Sequence, residues 1–98
     1  MEIIRTGMAG TMESSDINVV IEKQEAKGIK IYLNSSVEKQ FGDQIRKVIL
    51  ETLEDLKVTN VVVRAVDRGA LDCTIRARVQ SAVMRAANKE NELDWEVL

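Results

Sequence analysis

Apolar positions in this chain alternate, then recur every three to four residues, then alternate again, and this order of periods predicts the elements. Ile17, Val19 and Ile21 alternate with Asn18 and Val20, and a matching alternation precedes them at Met8, Gly10 and Met12. Two short strands across a turn account for both runs. If Ser14 and Ser15 form a two-residue loop, Glu13 pairs with Asp16, Met12 with Ile17 and Thr11 with Asn18. Gly10 then pairs with Val19, Ala9 with Val20 and Met8 with Ile21. Cross-strand partners share a face, so one face of this hairpin, residues 8–22, carries Met8, Gly10, Met12, Ile17, Val19 and Ile21. The polar pairs fall on the other face beside the tip, and a one-residue slip destroys the sorting.

Glu22 to Gly28 is a polar loop, and Ile29, Ile31 and Leu33 alternate with Lys30 and Tyr32 as a third strand. Ser35 with Glu38 three residues later reads as a helix N-cap with a capping box. Val37, Phe41, Ile45, Val48, Ile49, Leu53 and Leu56 then recur at helical spacing. Gly42 inside this run costs about 1 kcal/mol relative to alanine. Val58 to Val66 is β-branched and ends at the turn Asp67-Arg68-Gly69, which predicts a strand within the sheet. Beyond Ala70 both periods fit at first. The strand pattern fails after Val79, alanines follow, and an early Asp72 with later Arg76, Arg78 and Arg85 suits a helix macrodipole, so a helix is expected. Asn88 to Glu92 is a polar stop before a tail, residues 89–98. The expected fold is a small single α+β domain of residues 1–98, ordered β-β-β-α-β-α. Two helices cover one face of a largely antiparallel sheet.

Composition narrows the chemistry. The 98 residues include one cysteine, Cys73, and no histidine, which removes internal disulfides, Ser-His-Asp and Cys-His catalysis, and most zinc chemistry. A stand-alone enzyme is disfavoured. A net charge of −2 and 3% aromatic residues argue against nucleic acid as a partner. Apolar runs are too short for a membrane span, and Glu2 and Arg5 interrupt any secretory signal, so a cytoplasmic location is expected.

The hairpin tip keeps two adjacent hydroxyls at the expense of turn quality. Two-residue turns favour Asn-Gly or Asp-Gly, and Glu13 opposite Asp16 sets like charges face to face. A turn that presents serines so suggests that a serine is used; the plain alternative is an ordinary surface turn.

Three blocks are more specific. Gly10-Thr11-Met12-Glu13-Ser14, the run Asn34 to Gly42 and the run Gly69 to Cys73 with Arg76-Ala77-Arg78 together resemble the acyl carrier protein, or gamma chain, of citrate lyase. The resemblance runs nearly end to end. It implies that Ser14 carries phosphoribosyl-dephospho-CoA through a phosphodiester. It implies an acyl carrier that performs no bond chemistry and presents acetyl and citryl thioesters to the alpha (acyl transferase) and beta (lyase) subunits. A prosthetic-group transferase would load it. Ser15 stands where the family commonly has glycine, the residue that takes positive φ most easily in a tight turn.

Other features have structural readings. Capping accounts for Ser35 and Ser36. Cys73 is expected as a small buried hydrophobe. Arg76, Arg78 and Arg85 read as a solvated helix face, with coenzyme phosphates or the large subunits as alternative partners. Glu13 and Asp16 read as local acceptors, and Trp95 as an interface anchor or as cover for the core edge. Three other functions compete: a phosphopantetheine carrier, argued against by the missing Asp-Ser-Leu motif and the strand-rich start; a carrier of malonate decarboxylase type; and a non-carrier binding or regulatory module.

Overall fold

The computed structural model describes residues 1–89. Six elements follow in the expected order: β1 (Gly7–Ala9), β2 (Ile17–Lys23), β3 (Gly28–Ser35), α1 (Glu38–Asp55), β4 (Asn60–Asp67) and α2 (Asp72–Ala86). They form one four-stranded sheet in the order β1-β2-β4-β3. The β1/β2 and β2/β4 ladders are antiparallel, whereas β3 and β4 run parallel. Parallel neighbours cannot be joined by a tight turn, and α1 supplies the crossover between them.

Alternation along the strands sends Ile17, Val19, Ile21, Val61, Val63 and Ala65 to one face, where all are buried. The helices bury Ile45, Val48, Ile49 and Leu53 from α1, and Ile75, Val79, Ala82 and Val83 from α2, in the same core. The opposite face stays open, with Arg64 stacked over Tyr32 at 5.0 Å and bonded to Glu22 at 2.6 Å. Among the described residues, no helix is long and apolar enough to cross a membrane.

The first hairpin differs from its expected register by one residue. Gly7 pairs with Ile21, Met8 with Val20 and Ala9 with Val19. Gly7 and Ala9 therefore face the core, and Met8, expected there, is 56% exposed. The cause is α2, which crosses β1 so closely that a Cβ on Gly7 would lie 2.2 Å from the Ala82 carbonyl oxygen and 2.5 Å from the Ala86 amide nitrogen. A methionine side chain cannot enter that contact, and the space admits only small residues. Strand pairing then stops at Ala9, so the strands are joined by a seven-residue loop, residues 10–16, with the expected turn at Ser14 and Ser15 kept at its tip but not flanked by paired strands. Met12 lies exposed in that loop.

Three smaller expectations also change. Ser35 ends β3 and does not cap α1, which begins after Val37 with no side-chain cap. Its hydroxyl instead donates to Asp67 Oδ2 (2.8 Å) and accepts from the Val37 amide (3.1 Å). Glu38, expected in a capping box, pairs with Arg46. Phe41 is half exposed on the α1 surface, and Cys73, expected to be buried, is exposed in the first turn of α2. Trp95 and the tail from residue 90 onward lie outside the described residues.

Candidate functional site

The loop between β1 and β2 is organised by Asp16. Gly10, at φ +97°, turns the chain out of the sheet. No side chain fits at this position, because a Cβ would meet the Ile17 carbonyl oxygen at 1.8 Å. The Asp16 carboxylate then gathers donors from both ends of the loop. Oδ2 accepts from the Thr11 amide (3.1 Å) and the Thr11 hydroxyl (2.6 Å), and Oδ1 accepts from the Ile17 amide (2.7 Å). Arg78, on α2, donates to both oxygens, from Nε to Oδ1 and from Nη2 to Oδ2, each at 3.0 Å. Two parallel bonds from one guanidinium fix the orientation of the carboxylate as well as its position. Asp16 is 8% exposed. The Arg78 and Thr11 hydrogen bonds hold its carboxyl well below the usual carboxylate range, against the opposing effect of burial.

Glu13 to Asp16 forms the tip. The Asp16 amide donates to the Glu13 carbonyl at 3.2 Å, and Ser15 has φ +66° at the third position of this turn. A positive φ at that position, following Ser14 at negative φ, is the pattern of a type II turn, where glycine is the easiest occupant. The expectation that Ser15 replaces a glycine therefore has a conformational counterpart. Ser14 holds the second position. Both serines are exposed, and the Ser14 hydroxyl makes no hydrogen bond among the described residues.

The tip is also tied across the sheet end. The Ser15 amide donates to the Arg68 carbonyl (2.8 Å), and the Arg68 amide donates to the Asp16 carbonyl (2.9 Å). Arg68 belongs to the turn after β4, which buried Asp67 shapes by accepting from the Gly69 and Ala70 amides and from Ser35. A shallow apolar groove lined by Val37, Phe41, Ile45, Ala70 and Leu71 opens beside the same turn. One end of the sheet thus gathers the serine loop, the β4–α2 turn and the first turns of both helices.

Of the residues singled out in the sequence, Ser14 and Ser15 are displayed together at the tip. Glu13 is exposed, and its link to Asp16 is the backbone bond of the turn, not a cross-strand pair. Arg78 and Arg85 belong to structure that their sequence pattern did not reveal. Arg78 holds Asp16, and Arg85 Nη1 donates to the Met8 carbonyl at 2.6 Å. Arg78 is 62 residues from Asp16, and no local spacing relates them. Among the described residues, no cluster of potential metal ligands occurs.

Comparisons with known proteins agree with the sequence blocks. A family model described as the malonate decarboxylase delta subunit, an acyl carrier family, matches residues 4–86. The citrate lyase acyl carrier protein of Oenococcus oeni is 55% identical over the whole of both chains. That of Streptococcus mutans is 57% identical over 97% of this chain and 92% of its own. That of Vibrio cholerae is 50% identical over 100% of this chain and 99% of its own. A chain in the crystal structure of a Pseudomonas malonate decarboxylase hetero-tetramer in complex with malonate has the same fold. Its TM-score is 0.64 at 19% identity, covering 88% of this chain and 92% of that one.

Proposed function

The chain belongs to the acyl carrier proteins of citrate lyase, non-catalytic subunits that carry a prosthetic group, and on that premise we propose that Ser14 is the attachment residue. The group proposed is phosphoribosyl-dephospho-CoA, joined through a phosphodiester. When bound, it supplies a thiol that carries acetyl and citryl groups between the alpha and beta subunits, where citrate is cleaved to acetate and oxaloacetate. The proposed setting is the cytoplasm.

One observation supports this reading above the others. Ser14 offers an exposed hydroxyl with no hydrogen bond among the described residues, on a loop whose backbone is fixed at both ends. A bulky group has room there, and the serine need not give up a bond to receive it. Ser15 is the poorer choice, because its amide is held by Arg68 and its backbone takes the strained part of the turn. Attachment forms a bond from Ser14 Oγ to phosphorus. The serine proton passes to a base of the loading transferase, and the bond from phosphorus to its leaving phosphate group breaks on an activated phosphoanhydride donor. The base is assigned to the transferase because no side chain of this chain is hydrogen-bonded to the Ser14 hydroxyl among the described residues. A tethered thioester also has a high effective concentration at both partner active sites, so weak docking suffices.

Intact mass spectrometry of the chain isolated with active complex tests the reading. An adduct of the dephospho-coenzyme mass on the peptide containing residues 10–16 is expected, and an unmodified chain from active complex would overturn it. Ser14→Ala should abolish loading with the fold unchanged. If Ser14→Ala loads and Ser15→Ala does not, attachment is on Ser15. A carrier for malonate decarboxylase is the second reading, favoured by the description of the matching family model. Co-purification with decarboxylase subunits in place of citrate lyase subunits would decide for it.

A further inference from the structure

We propose that Arg78 is a positioning residue for the modification of the loop: through its paired bonds to Asp16 it keeps residues 10–16 in the conformation that the loading enzyme recognises. The proposal rests on the attachment reading above.

Loop 10–16 contains no regular structure, yet both ends of it converge on one carboxylate. Asp16 closes the loop by binding Thr11 at the near end and the Ile17 amide at the far end. Without an external partner, such a closure competes with water for every donor. Arg78 supplies that partner from α2, whose neighbouring residues Ile75, Val79, Ala82 and Val83 are fully buried. The guanidinium is therefore carried by a helix anchored in the core, and the fork fixes the plane of the carboxylate. The plane sets where Thr11 and Ile17 lie, and the Glu13 to Asp16 turn that presents Ser14 lies between them.

Arg78 makes no hydrogen bond to either serine among the described residues, so its effect on loading passes through the population of the held loop. If an enzyme binds only the held conformer, its apparent KM rises by the inverse of the fraction held, while kcat, measured on the bound form, is unchanged. A catalytic role would instead lower kcat. Lysine retains the charge but not the fork, so it restores part of the effect.

The test is timed loading of the full-length chain by the prosthetic-group transferase and its activated precursor, followed by intact mass. Wild type, Arg78→Gln, Arg78→Lys and Arg76→Gln are compared, with folding of each verified by circular dichroism at the assay temperature. Arg78→Gln is expected to raise KM about tenfold with kcat within a factor of two, Arg78→Lys to fall between it and wild type, and Arg76→Gln to match wild type. Amide hydrogen exchange at Ser15 and Ile17 should quicken in Arg78→Gln while exchange in the centre of β4 does not. Unchanged KM and kcat in a folded Arg78→Gln protein would overturn the proposal, as would a fall confined to kcat. Failure of the wild-type chain to load on the 10–16 peptide would instead overturn the attachment reading.

Discussion

Replacing Asp16 with asparagine changes one oxygen to NH2 in a site whose partners all donate to the carboxylate. If the new NH2 takes the place of Oδ2, it faces the Thr11 amide and Arg78 Nη2, while the Thr11 hydroxyl can rotate to accept from it; if it takes the place of Oδ1, it faces the Ile17 amide and Arg78 Nε. Either orientation loses two hydrogen bonds and leaves Arg78 without its counter-charge. Bonds to charged groups contribute about 1.5–3 kcal/mol each, but the Arg78 side chain is 40% exposed and rehydrates, so the net loss is about 2–3 kcal/mol at pH 7. For a domain of this size that lowers Tm by roughly 10–20 °C. The loss must also depend on pH with a fixed sign. The Asp16 carboxyl titrates well below its ordinary value in the folded chain, so below about pH 3.9 the unfolded chain takes up the proton first. The stabilisation is complete above that value and is lost as pH falls towards the folded pKa. Urea denaturation of both proteins from pH 7 to pH 2.5 should give a constant difference above about pH 5 that narrows by about 1–2 kcal/mol at pH 2.5. A difference below about 1 kcal/mol at pH 7, or one that ignores pH, would refute this account of the loop.

Other substitutions probe the remaining supports. Ser15→Gly relieves a left-handed residue at about 1 kcal/mol but adds flexibility to the unfolded chain, for a net gain of about 0.5 kcal/mol, seen as a rise of a few degrees in Tm. A fall in Tm would contradict the φ of +66° assigned to Ser15. Gly7→Ala drives a methyl group into the α2 backbone and should cost about 2–3 kcal/mol in urea denaturation, with exchange of the β1 amides accelerated. Ser35→Ala leaves Asp67 one donor short and should cost about 1 kcal/mol, read the same way.

The periods that set out the elements were legible because each depends on residues within a turn or a strand of one another. Even the ambiguous run after Ala70 declared itself once the alternation failed beyond Val79, and α2 spans Asp72–Ala86. The register of β1 was not legible, since it depends on a helix more than seventy residues later that presses on Gly7. A methionine and a glycine at alternate positions read equally well as a face of the sheet or as its back. Gly7 held the missing signal, a glycine in a strand where a close backbone approach was to be expected.

The same helix explains what was missed in the loop. α2 crowds β1 at Gly7 and so fixes which face the strand turns to the core, Gly10 takes the chain out of the sheet after Ala9, and α2 sends Arg78 to Asp16, which helps to close the loop that results. A two-residue tip would have held itself by local turn chemistry alone. The seven-residue loop adds to its local bonds the tertiary contacts of Arg68 and Arg78, and it holds a serine at a position suited to glycine. On the proposed attachment at Ser14, a loading enzyme that reads the held conformation of this loop also verifies that α2 is in place.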